Sequence, residues 1–391
     1  MTFEKMRELD SRYVVQSYGR FPVAIDHGQG ATLYDADGKE YIDFASGIGV
    51  LSVGTANPKW QAAIGEQAAK LGHISNLYYS EPYIRLAEKL CIRSGMAAAF
   101  FSNSGAEGNE GVIKLARKYS WEKYGQGRGT VITLNRSFHG RTITTLAATG
   151  QDIFHRYFFP FTEGFRRADP DIDSVRQAAG DDVCAVMVEL VQGEGGVLPL
   201  DPGFIRDLSK LCEDRDWLLL VDEVQTGVGR TGSLFCFQQY GIRPDATSFA
   251  KGIAGGLPMG GFLVNEKCRE VFGPGDHAAT FGGNPVSAAA ACAVLDILDD
   301  ETIARVKEKG DYLRSAVESM ELPCLGKTRG MGLMIGVEVK EGWSNKELCA
   351  RLNQAGLLSL TAGPGLRFLP PLTIAREEMD KGLDILKEVL S

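Results

Sequence analysis

Between about residue 60 and residue 265 the chain repeats one pattern, in which short apolar runs alternate with longer stretches of helical spacing. Helices are expected at residues 59–71, 83–94, 105–124 and 202–215. Strands are expected at residues 99–101, 130–134, 185–190, 217–221, 246–250 and 261–264. Short runs this rich in apolar and small residues read as strands buried on both faces. Strands alternating with helices imply an α/β fold: a mostly parallel sheet, covered by helices, whose ligands gather outside the strand C-terminal ends.

At 391 residues the chain exceeds one ordinary core, so two unequal domains are expected. Residues 1–50 read as an N-terminal segment packing with the small domain. Its first twenty residues are expected to be a helix, and residues 28–44 a hairpin turning at Asp37-Gly38. Residues 51–285 form the large domain. Residues 286–391 form a smaller α+β domain that opens on a helix at 286–298 and carries strands at 331–340 and near 366–369.

No apolar run reaches the roughly 18 residues of a membrane span. The charged start, Met1–Asp10, does not read as an export signal. A net charge of −8 argues against nucleic acid or an anionic membrane as the main partner. The eight cysteines are scattered without close pairs, as in reduced, buried thiols of a cytoplasmic protein. Neither HExxH nor CxxC occurs, so no metal site is expected.

Lys251 ends one apolar run and opens the turn Gly252–Gly256, while Asp222 ends another run 29 residues earlier. An amine and a carboxylate at the ends of neighbouring buried strands can hold an aldehyde cofactor between them. The amine binds its carbonyl as an imine, and the carboxylate keeps a ring nitrogen protonated. That is the chemistry of pyridoxal phosphate. Asp222 could also cap the next segment, but an apolar run leading straight into two acids is costly unless one acid has a partner.

Other motifs surround this pair. In NSGAEGNE (Asn103–Glu110), Ser104, Gly105 and Ala106 open a helix whose free N–H groups suit a phosphate, although a serine N-cap alone is common. In SFHGRT (Ser137–Thr142), Phe138 could stack on a ring and Arg141 could fork a carboxylate. Read alone, these two are a core residue and a surface residue, and His139 reads as structural. Gln225 lies one turn past Asp222, where it could bond a ring oxygen. Glu189 and Glu194 in VELVQGEGG, Thr280 in HAATFGGNP and Arg367 in LRFLPP are weak signals singly. No GxxxxGK[ST], no GxGxxG between a first strand and helix, and no GxSxG elbow competes with this reading.

Taken in order, SGAE, FHGRT, QGEGG, DEVQTG, Lys251 and TFGGNP resemble the class III, fold-type I pyridoxal-phosphate aminotransferases. Within that family the motifs are most similar to the acetylornithine-using branch, and the likeness runs from Ser17 to Leu372. The resemblance implies a fold-type I transferase that moves an amino group from acetylornithine to 2-oxoglutarate. Ornithine, succinyl-diaminopimelate and 4-aminobutyrate are the alternative donors, and a non-catalytic binding protein of the same fold is a further alternative. It assigns Ser104, Gly105, Ala106, Phe138, Asp222, Glu223, Val224, Gln225 and Lys251 to the cofactor. Thr280 would reach the phosphate of a neighbouring subunit, which makes the unit a homodimer. Tyr18, Arg141, Glu194, Ala279 and Arg367 are assigned to the substrates.

Four positions depart from the family pattern. Gly54–Pro58 replaces GH-x-HP, Leu190 replaces a proline, Ala278-Ala279 replaces Gly-Ser, and Gly108 replaces an alanine. These leave the catalytic groups in place and bear on specificity.

The two arginines pose a problem of charge. Glutamate brings two carboxylates, whereas acetylornithine reacts at a distal amine with none beside it. An arginine left unpaired in a buried site costs several kcal/mol. The resemblance implies a solution: Arg141 holds the distal carboxylate throughout, while Arg367 takes glutamate's α-carboxylate or otherwise pairs with Glu194.

Overall fold

A computed structural model describes residues 1–391. Its centre is a seven-stranded sheet in the order Ala98–Ser102, Gly260–Val264, Ala246–Phe249, Leu218–Asp222, Val183–Val188, Thr130–Leu134, Phe165–Ala168. Gly260–Val264 runs antiparallel to both its neighbours, and the other pairings are parallel. The four strands from Thr130–Leu134 through Ala246–Phe249 in this order are buried at every residue, in keeping with helices on both faces. The helices Gly105–Tyr124 and Pro202–Arg215 fall where their apolar spacing predicts them.

The sequence reading overlooks one strand of this sheet, Phe165–Ala168. It is an edge strand with two arginines in the middle, so it shows no apolar run. The expected strand at 331–340 is in fact the end of one strand, Leu325–Met331, and the whole of the next, Met334–Val339. The chain reverses at Gly332, whose φ of +54° and close approach to the Arg230 carbonyl leave no room for a side chain. These two strands join Gly365–Phe368 and Leu360–Ala362 in a second sheet.

Near the N-terminus the helix is shorter than expected. It covers Phe3–Tyr13 and buries none of its residues. The strands Thr32–Asp35 and Glu40–Asp43 do form the hairpin about Asp37-Gly38, and Glu40–Asp43 pairs in parallel with Leu357–Leu358. Glu378 ties the same regions together by accepting from Ala31 N–H at 2.9 Å and Thr32 Oγ1 at 3.0 Å. The helix Pro285–Ile297 does not open a separate C-terminal unit. It packs on the helices Pro58–Lys70 and Glu81–Ser94, its alanines permitting the approach, and its Leu295 carbonyl accepts from Arg93.

Candidate active site

Because Leu218–Asp222 and Ala246–Phe249 are adjacent and parallel, with Asp222 opposite Ser248, Asp222 and Lys251 leave the sheet side by side. They face a cavity of about 350 Å³ at the strand C-terminal ends. Ser104, Gly105, Ala106, Phe138, Glu189, Val224 and Gln225 line it with them. Ser104 caps the helix Gly105–Tyr124 by accepting from Glu107 N–H at 3.2 Å, and Glu107 returns to accept from Asn103 N–H at 2.7 Å. The first helical turn is thereby fixed, with its N-terminus toward the cavity.

Asp222 is only 4% exposed and is surrounded by donors. Its Oδ2 accepts from Asn109 Nδ2 at 2.7 Å and from His139 Nδ1 at 2.8 Å, while Oδ1 accepts from Val224 N–H at 2.9 Å. His139, expected to be structural, is therefore a wall residue that orients the carboxylate. The sequence reading misses Asn109 altogether, although its spacing of four from Gly105 puts both on one helix face. Lys251 sits in the left-handed region at φ +44°, a conformation that non-glycine residues hold only under constraint. Burial pushes its amine below the ordinary lysine range, Arg367 adds to this, and Glu194 and Asp222 oppose it.

The remaining expected residues divide. Arg367 is 3% exposed, and its Nη1 donates to Glu194 Oε1 at 2.7 Å and to Gln225 Oε1 at 3.1 Å. Arg141 is exposed outside the cavity wall, its guanidinium 5.4 Å from the Phe138 ring centre and 4.2 Å from that of Phe154. Glu223 does not face the cavity. It lies beneath it, accepting from Thr226 Oγ1 at 2.6 Å and Phe237 N–H at 2.7 Å. Alternation along an extended segment explains this, since Asp222 and its immediate neighbour point to opposite sides. Tyr18 is 74% exposed and lines a separate groove within the N-terminal segment. Ala279 and Thr280 are likewise outside this cavity, Thr280 being exposed.

Burial pushes the Glu223 carboxyl up to about 7, and that of Glu189 likewise to about 7. Both folded values lie above the unfolded one, so these groups bind more protons in the native state. Their contribution is fully present below the unfolded carboxylate range and is lost as pH rises toward 7. Urea unfolding between pH 5 and pH 8 should show stability falling along this segment more steeply in the wild type than in Glu223→Gln. Equal slopes would remove Glu223 from this account.

Two buried atoms of the wall, His139 Nε2 and Asn109 Oδ1, have no hydrogen-bond partner, and neither does Arg367 Nε nearby. Orphaned polar groups of this kind mark a surface built to meet a polar ligand. An amine, a carboxylate held by donors, a helix N-terminus and an aromatic face match the demands of pyridoxal phosphate, and so the residues present fit that group.

The family model for class-III aminotransferases matches residues 13–390. The acetylornithine aminotransferase of Haemophilus ducreyi is 49% identical over 393 residues, covering 100% of both chains. An ornithine aminotransferase structure from Toxoplasma gondii, with partial occupancy of PLP at its active site, superposes with a TM-score of 0.94 at 32% identity. It covers 100% of this chain and 94% of that one. The acetylornithine aminotransferase of Elizabethkingia anophelis gives a TM-score of 0.88 at 30% identity, covering 100% and 99%. Fold, cavity and full-length similarity agree: the chain belongs to the class III aminotransferases, enzymes that transfer amino groups.

Proposed function

We propose that this enzyme transfers the distal amino group of N2-acetyl-L-ornithine to 2-oxoglutarate, giving N-acetyl-L-glutamate 5-semialdehyde and L-glutamate. In this reading it uses pyridoxal 5'-phosphate, works as a homodimer, and serves arginine biosynthesis in the cytoplasm. The observation that carries the chemistry is the pairing of Lys251 and Asp222 at adjacent strand ends on one cavity. The acetylornithine preference draws on the 49% identity to a full-length relative of that name.

Bound pyridoxal phosphate supplies an electron sink for the pair left when the substrate's C–H proton departs. Lys251 would hold its carbonyl, and Asp222, steadied by Asn109 and His139, would face its ring nitrogen. The N–H groups beginning at Gly105 would receive the phosphate, and Phe138 would cover one ring face. The lowered proton affinity of Lys251 leaves more neutral amine near pH 7, the form able to take the proton at Nζ and hand it back.

The two-substrate problem is met by Glu194. It is 28% exposed on a glycine-rich loop, whereas Arg367 is 3% exposed and fixed in a sheet, so Glu194 is the partner free to leave. Glu194→Ala should reduce the acetylornithine half-reaction by roughly 10- to 100-fold, because Arg367 is then buried without a counter-charge. The glutamate half-reaction, which brings its own carboxylate, should change little. Single-turnover absorbance separates the two halves, and equal losses would count against the gate.

The homodimer reading draws on Thr280, which is remote from its own cavity, and on the exposed apolar surface beside it. Leu77, Tyr79 and Phe281 are 84%, 96% and 61% exposed. Asn76 binds these segments together through the carbonyls of Gly282 at 2.8 Å and Ala279 at 3.3 Å. The direct test of the whole reading is kcat/KM with 2-oxoglutarate for acetylornithine, ornithine, succinyl-diaminopimelate and 4-aminobutyrate. A better donor than acetylornithine would overturn the assignment.

A further inference from the structure

Gln225 is gripped from two sides. Its Oε1 accepts from Arg367 Nη1 at 3.1 Å, and Arg367 is almost wholly buried. Against the whole amide, oxygen end included, stands Gly193, where a Cβ would come closest to Gln225 Oε1, within 2.6 Å of its Cδ and 2.7 Å of its Nε2. The amide is thus packed against backbone that carries no side chain. Gly193 is itself secured, because its N–H donates to Glu189 Oε2 at 3.3 Å while Glu189 Oε1 accepts from Phe138 N–H at 2.8 Å.

These contacts decide which end of the amide meets a ligand. With its oxygen taken by a buried cation, the amide cannot turn over without pointing two N–H donors at a guanidinium. Its Nε2 is the group left to present to the cavity that Gln225 lines.

We infer that Arg367 is a positioning residue for the cofactor as well as a receptor for a carboxylate. By pinning the Gln225 oxygen, it aims Nε2–H₂ into the cavity as a donor toward the cofactor's ring oxygen. Gly193 is the second jaw of the same clamp. One guanidinium then faces substrate on one side and steadies a cofactor contact on the other, so a carboxylate arriving at Arg367 is felt at the cofactor through Gln225. This inference rests on the reading that the cavity holds pyridoxal phosphate.

The test is a double-mutant cycle read as the equilibrium Kd of the cofactor-free protein for pyridoxal phosphate. Arg367→Lys keeps a positive charge near Lys251 and gives up the planar fork. Arg367→Lys and Gln225→Leu should each weaken binding by about threefold to tenfold, the range of one hydrogen bond. The double variant should bind no more weakly than Gln225→Leu alone, since both changes remove one contact. Gly193→Ala should reproduce the loss with Arg367 intact. Wild-type affinity in Arg367→Lys, or losses that multiply in the double variant, would overturn the inference.

A second measurement needs no Arg367 variant. Glutarate, a dicarboxylate without an amine to react, should shift the visible absorption of the wild-type holoenzyme. In Gln225→Leu the shift should be less than half as large, and equal shifts would count against the relay. A wild-type chain that binds no pyridoxal phosphate sinks the functional reading instead. Normal binding with additive losses sinks only the clamp.

Discussion

Replacing Lys251 with alanine should lower kcat by about 10⁴-fold or more, the upper end of what a positioned proton-transfer group contributes. The size of the effect follows from a double duty, since in the proposed mechanism one amine would both anchor the cofactor and move the substrate proton. Sodium borohydride should fix the cofactor to the wild-type chain at Lys251, seen as a mass increase on one peptide, and should leave the variant unlabelled. The variant should still fold, because truncation to alanine removes a buried amine whose charged form burial disfavours and leaves the backbone at this position unchanged. An alanine variant with a tenth of the wild-type rate, or label on another lysine, would move the chemistry elsewhere.

Asp222→Asn should be the next most damaging change. Asp222 is 4% exposed and takes hydrogen bonds from Asn109, His139 and Val224. An amide cannot supply the anion, and its own NH₂ must be turned toward one of these donors. Removing one member of a buried charge pair costs about 3–5 kcal/mol, which corresponds to a rate loss of roughly 150- to 5000-fold. The loss should appear in both half-reactions alike, because in the proposed function the carboxylate would face the cofactor and neither substrate. Single-turnover rates for each half decide the matter. A loss confined to one half would make Asp222 a substrate residue.

Most of the large sheet is legible in the sequence because its strands are buried on both faces. Leu218–Asp222 has nothing polar to disguise it until its last residue, and Ala246–Phe249 interrupts its apolar residues only with the small Thr247 and Ser248. Phe165–Ala168 is hidden because an edge strand can carry Arg166 and Arg167 without penalty. The cavity wall follows the same logic. Lys251, Asp222, Gln225 and Phe138 stand at strand ends or just beyond them, where the fold class itself predicts a ligand. Asn109 and His139 become site residues only through contacts with Asp222 across 113 and 83 residues, and no local spacing announces such contacts. Glu223 misleads because adjacency in the chain is the opposite of adjacency on an extended backbone. Tyr18 and Ala279 rest on family likeness alone and Thr280 on that likeness and a weak loop motif, and a single chain does not bring them to its own cavity.

The hydrogen bond between Arg367 and Glu194 spans 173 positions of the chain. A nascent polypeptide therefore carries Lys251 and Asp222 long before it carries Arg367, the arginine proposed to receive a substrate carboxylate. Premature termination anywhere between residues 265 and 366 would leave the seven strands of the large sheet encoded but remove Arg367 and part or all of the strand Gly365–Phe368 that carries it. Quality control during translation accordingly has a chemical stake in the last few dozen codons as well as a folding one.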